Sequence, residues 1–180
     1  DCVLHAEAEI DISPREVELD SAVRHEVDIA AVASTVALVD PLIIHRAEAL
    51  GAMQVLLDST VEYTRTREQF GQPIGKFQAL QHRMADMYLK VEETRSLLYN
   101  AVIRMDEGSP ETPLACAALK VKLAEAGKFV SQQAVQLHGG IGMTDELAVG
   151  HHFKRLLLLS KLYGDEDYHL QRYMALRATT

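Results

Sequence analysis

The 180-residue chain has no apolar run long enough to span a bilayer. The nearest approach, Ile29 to Ile44, is broken by Ser34, Thr35, Asp40 and Pro41. It has no basic excess either. Its net charge of −8 excludes a protein built to grip nucleic-acid phosphates, which needs a basic footprint. Its two cysteines, Cys2 and Cys116, have no framework spacing. That excludes a disulfide scaffold and a thiolate metal cluster, and makes a reduced, cytoplasmic setting the expectation. No basic-then-apolar leader opens the chain. It starts at Asp1-Cys2 without an initiating methionine, as expected of a piece of a longer polypeptide. Repeats and low-complexity segments are also missing.

What is present is 48% apolar residues, enough for the core of one domain, or of one domain with a remnant of another. Val3 to Ile12 alternate apolar and polar like a strand, and the pattern stops at Ser13-Pro14. Residues 15–27 are charged and weakly patterned, as in a linker.

From Val27 the period changes. Ile29, Val32, Val36, Val39, Ile43, Leu50, Met53, Leu57 and Val61 fall mostly three, four or seven apart, which predicts a helix with one apolar face. Proline inside a helix costs about 3 kcal/mol but little at the first position, so Asp40 as N-cap and Pro41 as first residue predict a restart there. A second helix is the clearest. Phe77, Leu80, Met84, Met87, Val91, Thr94, Leu98, Ala101 and Met105 alternate spacings of three and four, a seam for antiparallel packing that stops at Glu107-Gly108. A Met-rich stripe of this kind reads as core rather than cofactor box. Further helices are expected over about Pro113 to Leu137, about Leu147 to Leu162, and from Asp165 onward. Short Gly/Pro connections between them predict an all-α, up-and-down bundle of four to five helices over residues 28–180.

Between the first two long helices lies Arg67-Glu68-Gln69-Phe70-Gly71-Gln72-Pro73-Ile74-Gly75-Lys76-Phe77-Gln78. A guanidinium at a glycine-rich helix junction suits bidentate phosphate binding; pairing with surface carboxylates is the plainer alternative. Arg65, Arg67 and Lys76 make a local basic patch in an acidic chain. Gln136-Leu137-His138-Gly139-Gly140-Ile141-Gly142 is glycine-dense but follows a helical pattern, so it is no dinucleotide fingerprint. It reads as a helix C-cap, or as bare backbone that admits a flat ligand. His151 and His152 are adjacent, about 100° apart on a helix, and do not pair as metal ligands. Asp165-Glu166-Asp167 places negative charge at a helix start, either to complement the dipole or to supply a general base.

The run Arg67 to Ala79, then His82-Arg83-Met84-Ala85-Asp86-Met87, then Gln136 to Gly142, in this order and spacing, resembles the C-terminal domain of acyl-CoA dehydrogenases. The resemblance covers about Asp28 to Ala178, and residues 1–27 are similar to the last stretch of that family's middle β-domain. It implies a flavoenzyme of lipid metabolism that holds FAD and oxidises the Cα–Cβ bond of an acyl-CoA thioester. A glutamate takes the α-proton while the β-hydride passes to the flavin. It also implies a tetramer assembled through the bundle, homomeric or heteromeric, and an electron-transfer flavoprotein as partner. By position Arg67 matches the arginine that reaches the flavin pyrophosphate of a neighbouring subunit. Phe70 and Gln78 join the same cofactor set, and Gln136, Leu137, His138, Gly139 and Gly140 match the segment against the adenosine.

The departures concern the base. Where many members carry Tyr-Glu-Gly-Thr, this chain reads Tyr163-Gly164-Asp165-Glu166, so glycine stands in the base position. The alternative early base position falls at Pro41. The ending Gly164 to His169 resembles a bacterial branch that includes steroid side-chain dehydrogenases, some of them built from two unlike subunits with one base. The expectations are therefore Asp165 or Glu166 as base, or a base on a partner subunit. In the second case this chain is a non-catalytic assembly subunit.

Overall fold

The computed structural model describes residues 41–144 and 146–178. The strand-like start, the linker, the helical period before Pro41, the Asp40 cap and Cys2 lie outside the described residues. Within them the order is helix α1 (Pro41–Thr66), strands β1 (Glu68–Gln69) and β2 (Gln72–Pro73), a 3-10 turn (Ile74–Lys76), α2 (Gln78–Asp106) and α3 (Thr112–His138). A second 3-10 turn (Gly139–Met143), α4 (Val149–Lys161) and α5 (Glu166–Ala178) complete it. The all-α bundle read from periodicity is the fold found. None of these helices is long and apolar enough to cross a membrane.

The helix ends follow local chemistry. Pro41 opens α1, and Pro113 sits in the first turn of α3, where a missing N–H costs nothing. Gly108, at φ 63°, ends α2 in the left-handed region that other residues avoid. The seam of α2 faces inward as its spacing predicts: Met87, Val91, Thr94, Leu98 and Ala101 are buried, with Leu80, Met84 and Met105 packed at its margins. Each large apolar side chain so buried contributes about 1.5–3 kcal/mol.

The third helix is the centre of the molecule and packs against α1, α2, α4 and α5. Its small residues permit this. A Cβ on Gly127 would stand 3.6 Å from Leu156 of α4 and 3.9 Å from the Met53 sulfur of α1, so helices approach on two sides of one turn. Across the bundle, Glu48 of α1 accepts two hydrogen bonds from the Arg155 guanidinium of α4, at 2.5 and 2.9 Å.

Up-and-down connectivity sorts the chain's corners into two ends. The close of α1, the hairpin, the start of α2 and the close of α3 share one end. The start of α1, the α4–α5 turn and the start of α5 share the other. With 27 residues in α3, the ends stand about 40 Å apart at roughly 1.5 Å per residue.

Candidate functional site

At the first end the sequence motif forms a miniature hairpin. Glu68 pairs with Pro73 and Gln69 with Gln72, leaving Phe70 and Gly71 as a two-residue turn. Both have positive φ, 56° and 77°, the geometry of a type I′ turn. Glycine accepts this freely; phenylalanine in the left-handed region costs about 1–2 kcal/mol. Phe70 is also 91% exposed, touching Phe77 edge-on at a ring separation of 6.0 Å. A strained and exposed aromatic is unfavourable for the isolated chain on both counts, and such residues concentrate at binding sites.

Arg67 precedes this hairpin. Its backbone is fixed at both sides, its N–H donating to the Tyr63 carbonyl and its own carbonyl accepting from Ile74 N–H, each at 2.8 Å. Its side chain is exposed and has no ion-pair partner among the described residues. The plainer alternative, pairing with nearby carboxylates, is therefore not what is found. Gln78 is exposed as the first residue of α2. Gly75 holds the hairpin close to α1, because a Cβ there would lie 3.0 Å from the Thr64 carbonyl oxygen.

The glycine-dense segment lies at this same end. The His138 ring stacks on Tyr63 at 4.5 Å, and its Nδ1 lies 2.8 Å from the Ala134 carbonyl. His138 and Leu137 are thus buried structural residues, whereas Gln136, Gly139 and Gly140 are exposed. Gly139 caps α3 at φ 65°, and the positions where Gly139 and Gly140 would carry a Cβ are open space. Beside them is a cleft of about 480 Å³ lined by Gln132, Gln136, Gly142, Met143, Phe153 and Lys154. An unpaired guanidinium, an exposed ring and bare glycine backbone at one end fit a dinucleotide cofactor such as FAD.

The proposed base residues lie at the opposite end. Asp165 Oδ1 accepts the Tyr168 N–H at 3.1 Å, which makes it the N-cap of α5. That bond, with Lys161 3.6 Å away, holds its carboxyl below the ordinary aspartate range, so it is a weakened base. Glu166 is exposed and lines a different cleft of about 190 Å³ with Lys128, Ser131 and Lys161. Gln132 and Phe153 line both this cleft and the one beside the glycine corner, and neither carboxylate pairs with Arg67.

Sequence reading missed a group at this second end: Arg46, Lys120 and His169 are all buried around one small cavity, which His45 and Tyr163 also line. Lys120 Nζ donates to the carbonyls of Leu159 at 2.6 Å and Leu162 at 2.9 Å, closing α4. Burial, then the Arg46 charge, lowers its pKa to about 8. Burial lowers the His169 pKa as well, although His169 Nε2 lies 2.9 Å from the Tyr163 carbonyl. The available signal was a basic residue on an apolar stripe: Ile43-Arg46-Leu50 in α1 and Ala117-Lys120-Ala124 in α3 keep spacings of three and four.

Known proteins share this sequence and fold. The profile described as "Acyl-CoA dehydrogenase, C-terminal domain" matches residues 42–175. Acyl-CoA dehydrogenase IpdE2 of Mycolicibacterium smegmatis is 40% identical over 129 residues, covering 72% of this chain and 40% of that protein. The ChsE4–ChsE5 complex from Mycobacterium tuberculosis superposes with a TM-score of 0.73 at 34% identity, over 77% of this chain and 38% of the other. The FAD complex of PigA gives a TM-score of 0.71 at 29% identity, over 74% of this chain and 34% of the other. The chain thus spans two fifths or less of the length of each of these relatives.

Proposed function

The chain belongs to the acyl-CoA dehydrogenase family as its C-terminal helical domain, and from that premise we propose that it serves FAD-dependent α,β-dehydrogenation of an acyl-CoA thioester. Arg67, Phe70, Gln78, Gln136, Gly139 and Gly140 make the cofactor contacts, with Leu137 and His138 setting the backbone beneath them. FAD, when bound, supplies the acceptor for the substrate's hydride.

The observation that carries this reading is the juxtaposition of Arg67, exposed and without an ion-pair partner among the described residues, with a strained, exposed Phe70 on the hairpin that shares an end with the glycine corner. Gly164, where the resemblance puts the reacting carbon, lies by His169 at the level of Lys120, roughly 27 Å along α3 from His138. That distance favours a cofactor shared between protomers of a tetramer, Arg67 reaching the flavin of a neighbour. Exposed Tyr88, Leu89, Ile103, Leu157 and Leu158 offer apolar surface for such assembly. An electron-transfer flavoprotein is the expected redox partner, and the cytoplasm the expected setting.

The test is the absorbance spectrum of the purified full-length protein, followed on addition of a panel of acyl-CoA thioesters. Flavin bands that bleach with one thioester support the reading. A colourless protein that does not take up added FAD overturns it.

A second reading has its own support. With glycine at 164, proline at 41 and the Asp165 carboxylate committed to capping α5, the base is to be sought on an unlike partner subunit. The ChsE4–ChsE5 relative is itself a complex of two named chains. Copurification with a second, base-bearing subunit that restores turnover separates this reading from a self-sufficient enzyme.

A further inference from the structure

Three basic side chains from three helices close on one cavity at the end of the bundle away from the hairpin. Arg46 of α1 is 6% exposed, Lys120 of α3 5% and His169 of α5 3%. Lys120 is satisfied by the two carbonyls at the close of α4. The other two are not. Among the described residues, Arg46 Nη1 and His169 Nδ1 are both buried without a hydrogen-bond partner. Buried polar atoms left in this state are rare and point to an occupant.

Among the described residues the groups around the cavity are mostly basic. Arg46, Lys120 and His169 face it, with His45 lining it and Lys161 and Arg172 acting from nearby. On the acidic side, Asp165 caps α5 and Glu48 is engaged by His45 and Arg155. The cavity holds about 10 Å³, room for roughly one oxygen atom. One water accepting from Nη1 and donating to Nδ1 satisfies the hydrogen bonds but leaves the guanidinium, with its Nη1 buried, lacking a counter-charge among the described residues. A tetrahedral phosphate is too large to be buried there. A carboxylate puts one oxygen inside and keeps the other at the rim.

We propose that this cavity is a carboxylate-recognition site, one carboxylate oxygen accepting from Arg46 Nη1 and from His169 Nδ1, the imidazole being doubly protonated when the site is filled because its Nε2 already donates to the Tyr163 carbonyl. The occupant is not the catalytic base, because a carboxylate against a guanidinium is held in its ionised form and takes protons poorly. Two sources share the chemistry: a second carboxylate on the acyl group, or an acidic side chain from elsewhere in the full-length assembly. The first source rests on the proposed function, which brings the acyl chain past Gly164. The site itself does not.

The experiment is thermal denaturation of the full-length protein and its Arg46→Met variant in sodium acetate against sodium chloride at equal ionic strength. A crystal structure of the wild type, grown without carboxylate buffers, accompanies it. An open site is expected to give a saturable rise in melting temperature with acetate, absent from Arg46→Met. Comparing an unbranched acyl-CoA with the ω-carboxyacyl-CoA of equal length then assigns the source. A preference of about tenfold for the carboxylated substrate, abolished by Arg46→Met, marks the acyl group; its absence assigns another carboxylate. A wild type indifferent to acetate but with a protein carboxylate within about 3.2 Å of Nη1 supports the internal source. Indifference to acetate with only water, or nothing, against Nη1 overturns the proposal. Melting and crystallography need neither flavin nor turnover, so failure here leaves the dehydrogenase reading standing, and the reverse also holds.

Discussion

The His138 ring lies stacked on that of Tyr63, 4.5 Å between centroids and 26° between planes, and locks the close of α3 to the close of α1. This contact sets the glycine corner against the Arg67 hairpin, since Tyr63 also accepts the Arg67 N–H on its carbonyl. Replacing Tyr63 by Leu removes the aromatic pair and is expected to cost about 0.5–1.5 kcal/mol. Urea unfolding of the full-length protein reads that loss. Flavin retention is expected to fall with it, because the hairpin and the corner no longer hold a common register.

Arg67→Ala is expected to weaken FAD binding about ten- to a hundredfold, the loss of one charge-assisted hydrogen bond worth roughly 1.5–3 kcal/mol. Stability is expected to stay unchanged, because the side chain is exposed and has no partner within the described fold. Arg67→Lys keeps the charge but not the planar fork, and recovers only part of the affinity. Titration of the full-length apoproteins with FAD measures the affinities, and urea unfolding measures the stability.

Gly164 and Gly71 separate two costs of the same substitution. Both have positive φ, 100° and 77°. A Cβ at Gly71 meets nothing within 4 Å, so Gly71→Ala is expected to cost about 1 kcal/mol from backbone strain alone. At Gly164 a Cβ stands 2.5 Å from Tyr168 Cδ1 and 3.0 Å from His169 Nε2, the atom that bonds the Tyr163 carbonyl. Gly164→Ala is expected to cost about 2–4 kcal/mol in denaturant titrations, strain and overpacking together. Equal costs at the two positions contradict the geometry.

Asp165 is open to a test that divides cap from base. Asn caps a helix as well as Asp does, so Asp165→Asn is expected to leave the denaturation midpoint close to wild type while Asp165→Ala lowers it. If Asp165 is the base, Asp165→Asn abolishes turnover of the intact complex. If Asp165→Asn and Glu166→Gln both keep full activity, the base is supplied from outside this segment.

The depressed Lys120 pKa makes stability depend on alkaline pH. The folded value is about 8 against an ordinary 10.5. Below pH 8 both states are protonated and the folded state bears the full cost of the buried charge. Between about 8 and 10.5 the unfolded chain holds the extra proton, so stability rises with pH; above that window the cost is gone. The wild type is therefore expected to gain stability relative to Lys120→Met across this range. Urea titrations of both proteins at pH 7, 9 and 10.5 check the sign.

Much of the fold was legible because helix faces are written in local spacing. The alternating threes and fours from Phe77 to Met105 predict α2 to within a residue at either end, and Asp165 announces α5 by the capping it then performs. The β-pairing of Glu68 with Pro73 was not legible. Two-residue strands leave no period, and Phe70 is a residue the type I′ turn disfavours. Of the site, the motif residues are named by their types and order, but the spacing does not record that His138, within the segment expected against the adenosine, has its ring buried on Tyr63.

The sequence by itself determined the helices, their apolar faces and the family. Each of these depends on residues close together along the chain, or on a motif read in order. Only the tertiary structure decided which corners share an end, and that Arg46, Lys120 and His169 meet in one cavity. Burial of a charge is a property of what packs around it. Those neighbours come from helices more than seventy residues apart in one direction and nearly fifty in the other, a distance that no local pattern records.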